Sequence, residues 1–175
     1  MLTAGEIHRT QMIGLLGERL SSARAAVQLY QAALEAMKAR GGPYQSVRAH
    51  LRLIHEEKKA HVEWLEEKLR ALGAGVEQAP AGPVAVIEVI AVLSEAADPA
   101  RLFESLLTAE VYDNGGWEML LDLAVRSADD EMAEEIRQLL REEQEHFLFV
   151  GRMVARYTRG VALDETPSVL EQMPG

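Results

Sequence analysis

The sequence LREEQEHFLFVGRMV, at residues 140–154, predicts a helix whose apolar face is interrupted by a carboxylate and an imidazole. Leu139, Glu143, His146 and Val150 recur every three or four residues, which is the spacing of one helix face. A charged group on an inward face is costly unless it is paired or binds a metal. Glu143 and His146 are therefore candidates for a polar or metal site inside a helical protein.

An earlier stretch, LRLIHEEKKAHVEWL at residues 51–65, has the same form with one difference. Lys58 stands three residues before His61, where the later stretch has a glutamate. Both residues occupy inner positions of an apolar stripe that runs from Val47 to Leu69. The two stretches thus predict two helices with matching polar positions, one of them carrying a lysine.

Helical periodicity extends over most of the chain. Gly41-Gly42-Pro43 and Gly73 end helices, Asp98-Pro99 begins one, and Ser127 or Asp129 caps another. The predicted helices cover about residues 3–40, 44–72, 98–126 and 130–158. A short helix is expected at about 84–97, where a β-strand is the alternative, and the tail 161–175 is expected to be irregular.

These elements predict one all-α domain, residues 1–160, built as a four-helix bundle. Short turns join the first helix to the second and the third to the fourth, so each pair forms an antiparallel hairpin. The long second connection permits a crossover along the bundle, which gives an up-down-down-up arrangement with a short helix in the crossover.

The third helix also carries polar residues on its inner face. Glu110 lies between Leu106 and Trp117, and Asp113 follows one turn later, as a group supporting the site or as an inward polar residue. The two hairpins match if Trp117 is aligned with Tyr30, and this match indicates an old duplication.

Glutamate on one helix with Glu-x-x-His on its partner, repeated in two hairpins, resembles the ferritin-like di-metal carboxylate superfamily. That superfamily includes bacterioferritins, rubrerythrins and Dps-like proteins, and the resemblance covers about residues 16–158. It implies four carboxylates and two histidines that hold two metal ions, with oxygen, peroxide or ferrous-iron chemistry.

Not every ligand position of the superfamily has a matching residue in this sequence. Ala23 and Lys58 stand where the first hairpin should supply carboxylates. The resemblance therefore implies a reduced site, with one metal or a degenerate di-metal centre, in which Lys58 replaces charge. The implied ligands are Glu110, Glu143, His146 and His61, with Glu57, Lys58 and Asp113 as further candidates. Glu57 would reach the site through a local π-bulge.

The metal is expected to be divalent, with iron or manganese favoured and zinc acceptable to the same donors. A metal-free protein is the alternative interpretation. In that case Lys58 pairs with Glu110 or Glu143, the two histidines hydrogen-bond nearby, and the bundle is a structural or protein-interaction module. Glu142 is expected to be solvated, and no residue is assigned a catalytic role.

The composition limits the partners and the chemistry. The formal net charge is -10 and the pI is about 5.0, so no nucleic acid and no anionic membrane is expected as a partner. No cysteine is present, which excludes thiolate metal sites and disulfides. A cytoplasmic location is expected, and self-association into a homo-oligomer is expected from the resemblance alone.

Overall fold

The structure, a computed structural model, describes residues 4–38, 44–76 and 99–158. These residues form four helices and no strand, so the all-α prediction is confirmed, with bounds within two residues of those predicted. The helices are α1 (Ala4–Lys38), α2 (Gln45–Ala71), α3 (Pro99–Arg126) and α4 (Asp130–Thr158). The short helix predicted at 84–97 and the tail at 161–175 lie outside the described residues. No helix of the described ranges is long and apolar enough to cross a membrane.

Contacts between helices fix the direction of each helix. Tyr30 meets Glu110, whereas the earlier Arg19 meets the later Asp113, so α1 and α3 are antiparallel. Helices α1 and α2 form one hairpin and α3 and α4 the other. Consequently α2 and α3 run in the same direction, and the predicted up-down-down-up order is confirmed.

Two apolar clusters fill the two ends of the bundle. One contains Leu16, Leu65 and Trp117, and the other contains Phe103 and Val150. Between them lies a buried polar layer made of residues that are at most 6% exposed, namely Lys58, His61, Glu110, Asp113, Glu143 and His146. The inward polar positions predicted from the helical stripes are all buried. The site is therefore shielded from water by apolar packing on both sides.

The predicted signals at the helix ends have clear counterparts. Asp129 Oδ1 accepts a hydrogen bond from the Met132 amide at 3.1 Å, so Asp129, and not Ser127, is the N-cap of α4. Gly73 has φ of 69°, a conformation that favours glycine, just beyond the end of α2.

Candidate metal centre

The Lys58 ammonium lies at the centre of the polar layer and is completely buried. Its Nζ is 2.5 Å from Glu143 Oε2, 3.0 Å from Asp113 Oδ2 and 3.2 Å from Glu110 Oε2. Burial lowers the pKa of Lys58, but the charges of these three carboxylates outweigh it and hold the pKa well above its ordinary value. Lys58 is therefore a resident cation of the site.

His61 is held between two carboxylates. Its Nδ1 lies 2.8 Å from Glu143 Oε1 and its Nε2 lies 2.9 Å from Glu142 Oε2. Burial lowers the pKa of His61, and the hydrogen bonds to both carboxylates outweigh burial and raise it. A protonated imidazole satisfies both carboxylates, because both of its nitrogens then donate. In this arrangement His61 has no free lone pair, so its role as a metal ligand stays a prediction.

Glu142 corrects the expectation that its side chain is solvated. The residue lies beside the inner face of α4, yet its carboxylate reaches across to His61 on α2, and its side chain is 34% exposed. The prediction was wrong because a helical stripe gives the direction of Cβ but not the reach of a long side chain toward a neighbouring helix.

His146 differs from His61 because only one of its ring nitrogens is bonded. Its Nε2 lies 2.7 Å from Glu57 Oε2. Its Nδ1 is buried, lies 3.9 Å from Glu143 Oε2 and has no hydrogen-bond partner among the described residues. Burial first, and then the nearby Lys58 charge, lowers the pKa of His146 to about 3, so the ring is neutral at pH 7. With Nε2–H donated to Glu57, the lone pair is on Nδ1.

Glu57 reaches His146 without a π-bulge in α2. Helix α2 is a regular α-helix through this region, and the Glu57 side chain, 33% exposed, extends from the rim of the site. A carboxylate that accepts from the outer nitrogen of a histidine is a common arrangement behind a metal ligand, because it fixes the tautomer and the ring orientation.

Three ligand atoms converge in the buried layer. One atom each from Glu110, Glu143 and His146 lies within 4.8 Å of the other two. Ligand bonds of about 2.0–2.2 Å place two donors of one ion at most about 4.4 Å apart, so a small adjustment brings this set onto one ion. A buried nitrogen without a hydrogen-bond partner is unfavourable, and a bound cation would give the Nδ1 of His146 a partner. The donor set therefore fits one metal ion.

Further side chains hold the two glutamates of this set in place. The Tyr30 hydroxyl donates to Glu110 Oε1 at 2.6 Å. Asn114 Nδ2 donates to the backbone carbonyl of Glu110 at 2.9 Å and to that of Glu143 at 3.3 Å, which ties α3 to α4 beside both residues. Burial raises the pKa of Glu110 to about 8 and, together with the Glu110 charge, raises that of Tyr30 well above its ordinary value. The bond between Tyr30 and Glu110 was not predicted, because no pattern within one helix indicates it.

The charge of the layer is close to the charge that one divalent ion would balance. Among the described residues, five carboxylates and two permanent cations lie in and around the layer: Glu57, Glu110, Asp113, Glu142, Glu143, Lys58 and Arg19. With these carboxylates ionised, as a metal ion would require of Glu110 and Glu143, and with His61 protonated and His146 neutral, two negative charges remain uncompensated. One divalent cation would neutralise them, whereas two would make the layer positive, which a buried site disfavours.

Comparison with known proteins supports the fold. No protein-family model and no curated protein matches the sequence. Two solved structures do match. A ferritin-like, diiron-carboxylate protein from Bacillus anthracis str. Ames has a TM-score of 0.70 at 16% identity, over 87% of this chain and 99% of its own. The Desulfovibrio desulfuricans bacterioferritin, described with a diiron site, has a TM-score of 0.74 at 18% identity, over 90% of this chain and 86% of its own. The chain has the ferritin-like fold.

Proposed function

We propose that this ferritin-like bundle binds a single divalent metal ion between Glu110, Glu143 and His146. The observation that carries the proposal is the buried Nδ1 of His146, which has no hydrogen-bond partner among the described residues and lies 3.9 Å from Glu143 Oε2, while Glu57 fixes the other ring nitrogen. Iron is the leading candidate, because both similar structures are described as diiron proteins, whereas nothing in them favours manganese or zinc. Bound iron would supply oxygen, peroxide or ferrous-iron chemistry.

The residues that the first hairpin contributes to the layer favour a single ion over two. Ala23 offers no donor atom, and the Lys58 ammonium brings a positive charge to the carboxylates from α2. Lys58 thus supplies part of the charge that a second ion would carry. The reduced site implied by the sequence is therefore our proposal for its working state.

The residues around the ligand set have separate tasks in this proposal. Glu57 orients His146, Tyr30 orients the Glu110 carboxylate, and Asn114 fixes the spacing of the two helices that carry the glutamates. Two cations that share the same oxygens lie within about 4 Å and repel each other by several kcal/mol at a protein-like dielectric. The Lys58 ammonium must therefore move away from Glu143 Oε2 and Glu110 Oε2 when the ion binds them. Asp113 remains as its partner.

A metal-free bundle is the second candidate function, and the contacts of Lys58 favour it. The ammonium already bonds three carboxylates, so the layer is stable without an ion. In that case the bundle serves as a structural or protein-interaction module. The unpartnered nitrogen of His146 is the observation that this alternative leaves without a role.

Calorimetric titration of the metal-free protein with ferrous iron under anaerobic conditions tests the proposal. His146→Gln is the most informative variant, because in the metal-free protein His146 gives up only its bond to Glu57, whereas Glu143 is also needed by Lys58 and His61. We expect binding at one site per chain and a loss of affinity of about 100-fold or more in His146→Gln. Glu142→Gln is the matched control, and its affinity should change only a few-fold. The proposal fails if the unaltered protein binds no metal, or if His146→Gln binds it with unchanged affinity.

A further inference from the structure

Arg19 is another buried cation close to the polar layer, and it was not among the residues predicted from the sequence. The residue lies on α1 and is 5% exposed. Its guanidinium lies 4.8 Å from the centre of the Tyr112 ring, and its Nη1 lies 3.6 Å from Asp113 Oδ1. The other oxygen of Asp113 contacts Lys58 Nζ at 3.0 Å. Asp113 therefore bridges two buried cations, with one oxygen for each.

Two consecutive glycines lie inside α3, in the sequence NGGW at residues 114–117. The position of the Arg19 side chain explains one of them. A Cβ added at Gly116 would overlap the Arg19 guanidinium, at a separation below the 3.0 Å that real Cβ contacts keep. A Cβ added at Gly115 would meet nothing within 4 Å among the described residues. Glycine is unfavourable inside a helix, so Gly116 has a specific steric role that its neighbour does not share.

Among the described residues, Asp113 is also the one carboxylate contact of Lys58 that lies outside the three-residue ligand set. When Glu110 and Glu143 bind the ion, the ammonium needs a carboxylate of its own, since an unpaired buried charge is costly. An Asp113 side chain that is free to turn away would leave Lys58 on the ligand carboxylates, where it competes with the metal.

We propose that Arg19 is a positioning residue of the site, which Gly116 admits between α1 and α3 and which holds Asp113 against Lys58. The Lys58 ammonium then has a fixed partner when the metal takes Glu110 and Glu143. This inference rests on the single-metal function proposed above. Its steric part concerns Arg19 and Gly116 alone and holds with or without metal.

A double-mutant cycle on the metal-free protein tests the steric part. Gly116→Ala should lower the midpoint of thermal unfolding by several degrees when Arg19 is present, because the methyl group displaces the guanidinium. In the Arg19→Ala background the same change should raise the midpoint, because alanine favours the helix. Gly115→Ala is the matched control and should raise it in both backgrounds. An equal effect of Gly116→Ala in the two backgrounds would overturn the steric role.

Ferrous-iron affinity tests the positioning role, with Arg19→Met and Arg19→Lys as variants. Loss of the guanidinium should weaken metal binding by about tenfold in both variants, because Lys58 then keeps the ligand carboxylates. If Arg19 acted only through its positive charge, Arg19→Met would instead strengthen metal binding. Unchanged or tighter binding in Arg19→Met would overturn the positioning role, while absence of binding in the unaltered protein would refute the single-metal function and leave the steric result standing.

Discussion

At the scale of single residues, Lys58 decides how the polar layer behaves. A buried ammonium among three carboxylates costs little only while all partners stay in place, since removal of one partner leaves uncompensated charge in the core. In the proposed site, a metal ion would compete with the same ammonium for the carboxylates. The stability of the metal-free protein and its response to metal are therefore linked through this one side chain.

Lys58→Met should reduce the free energy of unfolding of the metal-free protein by about 3–5 kcal/mol, because three buried carboxylates lose their shared cation. Ferrous iron should restore more stability in this variant than in the unaltered protein. Urea unfolding with and without the metal measures both effects. Lys68→Met is the control, since Lys68 forms a partly exposed ion pair with Glu135 between α2 and α4, and its loss should cost about 1 kcal/mol or less. A similar cost for the two substitutions would contradict this account of Lys58.

The bonds of His61 predict a pH dependence of the metal-free protein. The pKa of His61 is raised in the folded state, so its contribution to stability is fully present below pH 6.5 and is lost as the pH rises through the folded pKa. The pKa of Glu110 is raised to about 8, which also lowers stability as the pH rises toward 8. The free energy of unfolding should therefore fall between pH 6.5 and 8. His61→Gln should lose its own share of this fall and keep the part due to Glu110, and an unchanged slope in that variant would contradict the assignment.

At the scale of secondary-structure elements, the apolar period of each helix is what the sequence makes predictable. The stripes gave four helices, their bounds, and the inward placement of Glu110, Glu143 and His146, since burial follows directly from helical spacing. The contacts of Arg19 and Glu142 were not predictable. They depend on the distance and rotation between neighbouring helices, which no pattern within one helix encodes.

Two glycines at different places in the helices should respond oppositely to the same substitution. Gly14 lies inside α1 with open space around its Cα, so Gly14→Ala should increase the free energy of unfolding by about 0.5–1 kcal/mol. Gly73 has φ of 69° after α2, so Gly73→Ala should decrease it by about 1 kcal/mol. Chemical denaturation of the two variants measures both changes. Two effects of the same sign would show that backbone conformation is not the deciding factor.

At the scale of the whole molecule, the bundle places a polar layer between two apolar clusters, so ligand binding in the layer is coupled to the stability of the entire fold. A ligand that binds only the folded state adds about 2.7 kcal/mol of stability at a concentration 100 times its dissociation constant. The midpoint of thermal unfolding should therefore rise with ferrous iron. His146→Gln should show a much smaller rise at the same concentration, and an equal rise would place the metal elsewhere.

The most direct test of the single-metal account is the number of metal ions per chain. The protein would be purified without chelators, incubated anaerobically with excess ferrous iron, freed of unbound metal and analysed for its elements, beside Glu143→Ala and His146→Gln. One iron per chain, lost in both variants, is the predicted result. Two ions per chain would contradict the role of Lys58 as a replacement for the second ion. No retained metal would contradict the metal site itself and leave the Lys58 network as the purpose of the polar layer.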